Sequence, residues 1–465
     1  MRQFILVCLL VVGIGAGRGQ TTSPLPSYIR VALENNLALR QKQTDFERAG
    51  RALKIVRAMY GPSLTLDARY TRAGGGRTLD FPIGDLLNPV YGSLNSIFDA
   101  LGQPEQNFPV LENEHIPFLR REEQDTKLRL IQPLFQPALW HAANARQAQK
   151  MQQRAALNSF KNTLIRDVSL AYYDYLQSVQ VVEIYREALK VARQAVKTGE
   201  SLVANGVALS SVTYQAGAEE ARVRQQLSRA RHNRQLAAMH LNVLLNREPG
   251  DSIQIVWPDP VTIPVGDVRT LTRQALKNRE EFRMVRQARK AFTAQAAVHE
   301  AAFLPQINLV ADYGFEGTKY RFTMKDEYWM VTLSLQWNLY NSGMDEAKKE
   351  EALLAARQLK YREQELERYI ALEVEKEYSG LIHAQHVLLA ASKEWRGADK
   401  AFRILRRQFK TGAVAYIDYL EGRRQWIAAR LNLNMAEIAV PAARVRLDAA
   451  TGQLLYRYSR KESVK

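Results

Sequence analysis

The polar side chains that could do chemistry in this 465-residue chain are few, and most stand alone. His383-Ala-Gln-His386 sets two imidazoles on neighbouring turns of a helix, half of a possible metal site. No third ligand follows at a meaningful spacing, so the pair reads as a polar helix face. Glu373, Glu375 and Glu377 alternate around a helix and do not converge as an acid and its partner base would. Motifs for a nucleophile elbow, a phosphate loop or a zinc protease are absent from the sequence. Asp418 and Glu421 stand six and nine positions beyond Gly412, at a helix start where the helix dipole stabilises negative charge. These residues point away from an enzyme and imply no cofactor and no bound metal.

Composition narrows the setting. Met1-Arg2, the apolar run Phe4–Val12 and the small residues Gly13–Gly17 read as a secretory signal over residues 1–19, with the cut after Gly17 or Gly19. Cys8, the only cysteine, lies inside that run, so the mature chain has no thiol, which suits an oxidising compartment. Beyond the signal no stretch approaches the roughly 18 to 20 apolar residues of a membrane-spanning helix, and any insertion must use strands. Removing Arg2 and Arg18 takes the formal charge from +17 to +15. The bases are spread along helices among acids, without a zinc-finger, RRM or helix-turn-helix signature, which argues against nucleic acid.

The elements that position these residues occur twice. Ala32-Leu33-Glu34-Asn35 returns as Ala275-Leu276-Lys277-Asn278, and Pro62-Ser-Leu-Thr-Leu as Pro305-Gln-Ile-Asn-Leu, both displaced by 243. Further on, Asp167-Val168 with Tyr172 matches Glu373-Val374 with Tyr378, Gly206 matches Gly412, and Leu241-Asn242 matches Leu447-Asp448, displaced by 206. The difference, 37 residues, is an insertion inside the first hairpin.

Leu157, Phe160, Leu164, Val168, Ala171 and Tyr175 form the stripe of a long amphipathic helix, and Leu359, Leu366, Ile370, Val374 and Leu381 repeat it. Each long helix breaks at Gly206 or Gly412 and a second returns. In 328–340, Trp329, Val331, Leu333, Leu335, Trp337 and Leu339 share one face and Met330, Thr332, Ser334, Gln336 and Asn338 the other. Trp329 and Trp337 would lie about 26 Å apart on an apolar face, close to the spacing of the aromatic girdles of a membrane barrel. Four strands cannot close a barrel and open edges are not tolerated in lipid, so several copies must share one barrel; two would give eight strands and three twelve.

The expected order is a signal (1–19), an N-terminal helical segment (20–61), a β-hairpin (62–135) with a long extracellular loop (73–125), and a long helical hairpin (136–250). A linker (251–270), a helix (271–304), a second β-hairpin (305–340), a second helical hairpin (341–455) and a tail (456–465) follow. The fold class is mainly α with membrane β, in tandem repeats.

The chain resembles the outer-membrane efflux (TolC-type) family over nearly the whole mature sequence. The resemblance rests on the doubled plan, on Gln132-Pro133-Leu134-Phe135 echoed as Trp337-Asn338-Leu339-Tyr340, and on the turn segments Gly206-Val-Ala-Leu-Ser and Gly412-Ala-Val-Ala-Tyr-Ile-Asp418. It implies a homotrimer with a twelve-strand barrel in outer-membrane lipid and a periplasmic helical tunnel. Such ducts serve tripartite efflux pumps or type I secretion, docked by a periplasmic adaptor and powered by a proton- or ATP-driven inner-membrane transporter. It further implies an aperture ring of Asp418 and Glu421, and adaptor docking at tips formed by Gly206, Val207, Ala208, Ser210, Gly412, Ala413 and Val414. Two departures stand out. Val212 occupies the position of an aperture acid in the first copy, and Phe409 and Val414 replace the family's clasping tyrosine and arginine. Arg403, Arg406, Arg407, Lys410, Arg423 and Arg424 flank the acids, and either pair with them or offset a cation preference. The alternative is a non-conducting coiled-coil scaffold.

Overall fold

The computed structural model describes residues 23–258 and 266–459. The expected signal, part of the linker and the end of the tail lie outside them. In chain order the elements are α1 (Leu25–Asn35), α2 (Leu37–Ala58), β1 (Ser63–Arg72), β2 (Thr78–Phe81), α3 (Ile83–Ala100), β3 (Glu114–Pro117) and β4 (Glu122–Phe135). Then come α4 (Pro137–Ala204), α5 (Ser211–Leu244), α6 (Val268–Asn278), α7 (Glu280–Glu300), β5 (Gln306–Gly317), β6 (Glu327–Gln336), α8 (Met344–Lys410), α9 (Tyr416–Ala450) and α10 (Leu454–Ser459). α1 and α6 start 243 residues apart, as do β1 and β5, and the two long helices end 206 apart. The duplication of the sequence is a duplication of structure.

The chain divides into two compact units: residues up to Gly50 with Gln147–Ala291 and Ala355 onward, and Arg51–Arg146 with Phe292–Leu354. The first is helical. Its core gathers the stripe Leu157, Leu164, Val168, Ala171 and Tyr172 of α4 against Ile29 and Ala32 of α1 and Leu241 of α5. In the second repeat, Ile370, Val374 and Leu381 of α8 pack with Ala275, Phe282 and Leu447. At 68 residues, α4 is about 100 Å long. Among the described residues, no helix is long and apolar enough to cross a membrane.

The second unit holds a four-stranded antiparallel sheet in the order β1-β4-β5-β6, so both hairpins belong to one sheet, whose edges are β1 and β6. Register places Leu66, Leu128, Tyr313 and Trp329 in one row and Leu64, Leu130, Ala311 and Val331 in the next. The opposite face carries the rows Thr65–Arg129–Asp312–Met330 and Asp67–Lys127–Gly314–Tyr328.

Several boundaries depart from expectation. β6 ends at Gln336, so Trp337 lies just past the strand, and its indole donates to the Phe303 carbonyl. The excursion of the first hairpin is 73–121 rather than 73–125, because β4 begins at Glu122. That excursion is built, not structureless: β2 pairs with β3, and α3 is tied to the extended segment after it by side-chain amides. Asn88 exchanges two 2.8 Å hydrogen bonds with the backbone of Leu111, and Asn95 bonds the backbone of Phe108 in the same way. The segments 20–61 and 271–304 are each two helices, broken at Asn36 and Arg279, whose backbones are extended. The return helix of the second repeat stops at Ala450 instead of near 455, because Gly452 (φ +70°) closes it: Gln453 N–H bonds Asp448 O and Gly452 N–H bonds Ala449 O.

Candidate functional site

The helix tips come first, because the residues singled out in the sequence meet there. Gly206 (φ +70°) and Gly412 (φ +76°) each take the left-handed backbone that ends a helix. Val207 N–H bonds Leu202 O and Gly206 N–H bonds Val203 O; Ala413 N–H bonds Gln408 O and Gly412 N–H bonds Phe409 O. The two tips thus close by the same paired hydrogen-bond motif. They also touch, since a Cβ on Gly412 would lie 2.6 Å from Val207 Cγ1. Between them is a cleft of about 320 Å³ bordered by Val207, Ala208, Ala413 and Val414. Val207 and Leu209 are exposed, and Ser210 sits beside the start of α5.

Behind the tips lies an aromatic column. Ring centroids run Trp395–Trp426 5.8 Å, Trp426–Phe402 5.4 Å, Phe402–Tyr419 5.6 Å, Tyr419–Phe409 4.5 Å and Phe409–Tyr416 5.5 Å. Phe409 is therefore a core residue, stacked on Tyr419 and packed against Tyr416. Burial pushes the Tyr416 phenol up to about 12, with Arg423 opposing and Glu219 adding to the shift.

Asp418 and Glu421 are both exposed on the first turns of α9, and the side chain of Gln425 donates to Glu421 at 3.0 Å. Within the chain the flanking bases do not pair with them. Arg403 meets Asp399 at 2.6 Å, while Arg423 and Arg424 meet Glu219 at 2.6 and 3.4 Å. Val212 is half-buried against the tip core, with its Cγ1 3.3 Å from where a Gly199 Cβ would stand. An acid there would be partly desolvated, which gives a physical reason for the asymmetry between the copies.

Sequence reasoning missed Glu219. Its side chain is 8% exposed and that of Arg423 1%, and the pair links α5 of the first repeat to α9 of the second. The 2.6 Å contact is a charge contact off the N–H direction, which leaves Arg423 Nε and Nη2 without a hydrogen bond. A signal was present: Arg423 continues the buried run Tyr416, Tyr419, Arg423, Trp426, and Glu219 the run Ala216, Glu219, Val223, Leu227. One charge on each of two apolar stripes marks a buried pair.

In the sheet, the apolar face is exposed in the single chain: Leu66, Trp329, Val331, Leu333 and Leu335 are all more than half accessible. The other face is charged and largely paired. Arg129 grips Asp312 with Nε and Nη2, both at 2.8 Å, and Lys127 meets Asp125 at 2.6 Å. Trp329 lies within β6 on the apolar face and Trp337 beyond its end, so the strand itself does not span both. Tyr320 and Phe322, in the turn after β5, add two aromatics beyond the strand end that the alternation of strands could not reveal. His383 and His386 are exposed on α8, and among the described residues no group of three His, Cys, Asp or Glu side chains converges as metal ligands.

Comparison with solved structures finds the same fold. The chain is similar to the Campylobacter jejuni CmeC outer membrane channel (15% identity, 95% of this chain and 89% of that one, TM-score 0.77). It is also similar to the open state of the Neisseria gonorrhoeae MtrE outer membrane channel (18%, 93% and 89%, 0.73) and to the outer membrane protein VceC of Vibrio cholerae (17%, 92% and 96%, 0.73). Comparison with curated proteins gives no match. The model of the outer membrane efflux protein family matches residues 118–247 and 271–453, which reaches into both repeats and covers both long helical hairpins and three of the four sheet strands. The chain belongs to the outer membrane efflux protein family.

Proposed function

We propose that three copies of this chain assemble into one exit duct. The duct passively conducts substrate that a periplasmic adaptor and an inner-membrane transporter deliver, as part of a tripartite efflux pump or a type I secretion system. The observation that carries the reading is the sheet: one face apolar and exposed, the other charged, with unpaired edges at β1 and β6. A sheet of this kind is stable in lipid only when its edges meet other copies, and three copies give twelve strands around a charged lumen. The helix tips are the docking end in this reading. Exposed Val207 and Leu209 offer the adaptor an apolar contact, with Gly206, Ala208, Ser210, Gly412, Ala413 and Val414 shaping the turns around it. Asp418 and Glu421 from three chains line the aperture with six carboxylates.

The test is electrophoresis of outer-membrane fractions combined with planar-bilayer recording. A heat-modifiable trimer that conducts is expected, and a monomer without conductance would overturn the duct. Cysteines placed at Val207 and Val414 should crosslink to an adaptor; crosslinks confined to the strand end would remove the docking assignment.

A further inference from the structure

We propose that the outward face of the sheet carries a binding site for the phosphorylated sugar headgroup of an outer-leaflet glycolipid, built chiefly from Arg72, Arg121 and Lys319. The argument starts from register. Arg72 pairs with Glu122 and shares a face with Leu64, Leu66, Ala68 and Tyr70, the apolar face. Rows climb this face from Leu66–Leu128–Tyr313–Trp329, through Ala68–Thr126–Phe315–Glu327 and Tyr70–Gln124–Gly317, to Arg72–Glu122. Six residues separate the first row from the last, about 20 Å at about 3.3 Å per residue.

Between these rows runs an unbroken chain of edge-to-face aromatics. Tyr70–Tyr320, Tyr320–Phe322, Phe322–Phe315 and Phe315–Tyr313 have centroids 6.2, 5.6, 5.3 and 6.3 Å apart. Aromatic belts of this kind sit at headgroup level, so cations just above them meet the phosphate layer.

The cations are gathered, not scattered. Arg72, Arg120, Arg121 and Lys319 line one cleft of about 1040 Å³, at the strand ends from which the 73–121 excursion leaves, and Glu122 is the single acid in its lining. Gly74 and Gly75 form part of the wall, with no side chain to fill it. Arg120 reaches Glu316 at 3.8 Å, whereas Arg72, Arg121 and Lys319 have no ion pair among the described residues. Three uncompensated cations beside a vacant wall and above an aromatic belt match the charge, the size and the depth of a sugar phosphate carried on acyl chains. The inference rests on outer-membrane placement and is independent of the pump reading.

The test uses native mass spectrometry of the full-length protein in detergent, offered bis-phosphorylated lipid A or its dephosphorylated form. The wild type should retain the phosphorylated lipid, with binding weaker by roughly 10-fold or more for the dephosphorylated form and for Arg72→Gln/Arg121→Gln/Lys319→Gln. Arg69→Gln, on the inward face, should bind as the wild type does. If the triple variant lacks the folded, heat-modifiable band, Lys319→Gln alone, in the turn after β5, should still bind measurably more weakly. Equal binding of the two lipids, or by the variants, overturns the site. Displacement of the lipid by millimolar inorganic phosphate would identify a soluble-anion site, and a crosslink from Lys319 to an acid of a second copy a protein interface; either overturns the lipid assignment. Conductance recorded on the same samples separates this outcome from failure of the duct.

Discussion

Arg423 of the second repeat and Glu219 of the first meet 2.6 Å apart behind the helix tips, both buried, so that one ion pair ties α5 to α9. Arg222 and Arg424 approach the same carboxylate at 3.4 Å from more exposed positions. The two partners are therefore unequal. Glu219→Gln leaves a guanidinium buried without a counter-charge, whereas Arg423→Met leaves Glu219 with two cations still nearby. Removing one partner of a buried pair costs about 3–5 kcal/mol, and we expect Glu219→Gln to lie in that range and Arg423→Met below it. The double variant Glu219→Leu/Arg423→Met should recover most of the loss. Thermal melts of the helical circular dichroism signal read all three; equal losses for the two single variants would contradict the asymmetry.

How far this was legible in the sequence depends on what each residue reports. The helix stripes of α4 and α8 and the strand alternation of β5 and β6 are periodic, so they located the elements, and the repeat offsets located the tips. The Glu219–Arg423 pair was not found because it does not follow the repeat: the 206-residue counterparts of these residues are Gln425 and Gly217. Comparison of the copies is blind to a contact made between them. The order inside 73–121 was also hidden, because α3 is held by asparagine bonds to backbone at Leu111 and Phe108, and those bonds leave no hydrophobic period. Tyr320 and Phe322 lie in a turn, where side-chain alternation has no meaning.

Gly314 gives a sharper test of the sheet. A Cβ there would stand 2.5 Å from both Lys127 Cβ and Thr126 O, so the strand tolerates only a hydrogen at that point. Gly314→Ala forces β5 away from β4 and should cost about 1–3 kcal/mol by overpacking. Gly92→Ala, which would meet nothing within 4 Å, is the control. The fraction of protein in the heat-modifiable folded form should fall for the first and hold for the second. Parallel yields would show that the sheet relaxes at Gly314.

Asp448 supplies a pH prediction. Burial raises its carboxyl pKa, against the lowering effect of Arg457 and Arg444, whose nitrogens lie 2.8 and 2.9 Å away. A carboxyl whose folded pKa is raised binds more protons in the native state than in the unfolded one, so its stabilising contribution is present at low pH and is lost as pH rises through the folded value. From pH 7 down toward about 4, the usual carboxylate value, the wild type should gain stability from this group. Asp448→Asn, which installs the amide found at Asn242 in the first repeat, removes that slope. Relative to wild type the variant should therefore grow less stable as pH falls. Denaturation midpoints at pH 5 and 7.5 decide it, and parallel wild-type and variant midpoints would rule out the linkage.

The proposed aperture role of Asp418 and Glu421 is tested by ion selectivity. Asp418 and Glu421 are exposed, lie one helical turn apart and have no ion pair with a cation among the described residues, so in the proposed trimer their six charges would act on the lumen directly. Arg406, Arg407 and Lys410 lie nearby in sequence and are a source of opposing charge. Asp418→Ala/Glu421→Ala should move the reversal potential in a potassium chloride gradient toward zero, away from cation preference. The change should be largest near 0.1 M salt, where screening extends about 10 Å, and small near 1 M, where it is about 3 Å. Arg406→Ala/Arg407→Ala should shift selectivity in the opposite direction if those bases face the same bore. An unaltered reversal potential in the acid double variant at low salt would place the aperture elsewhere along the helices.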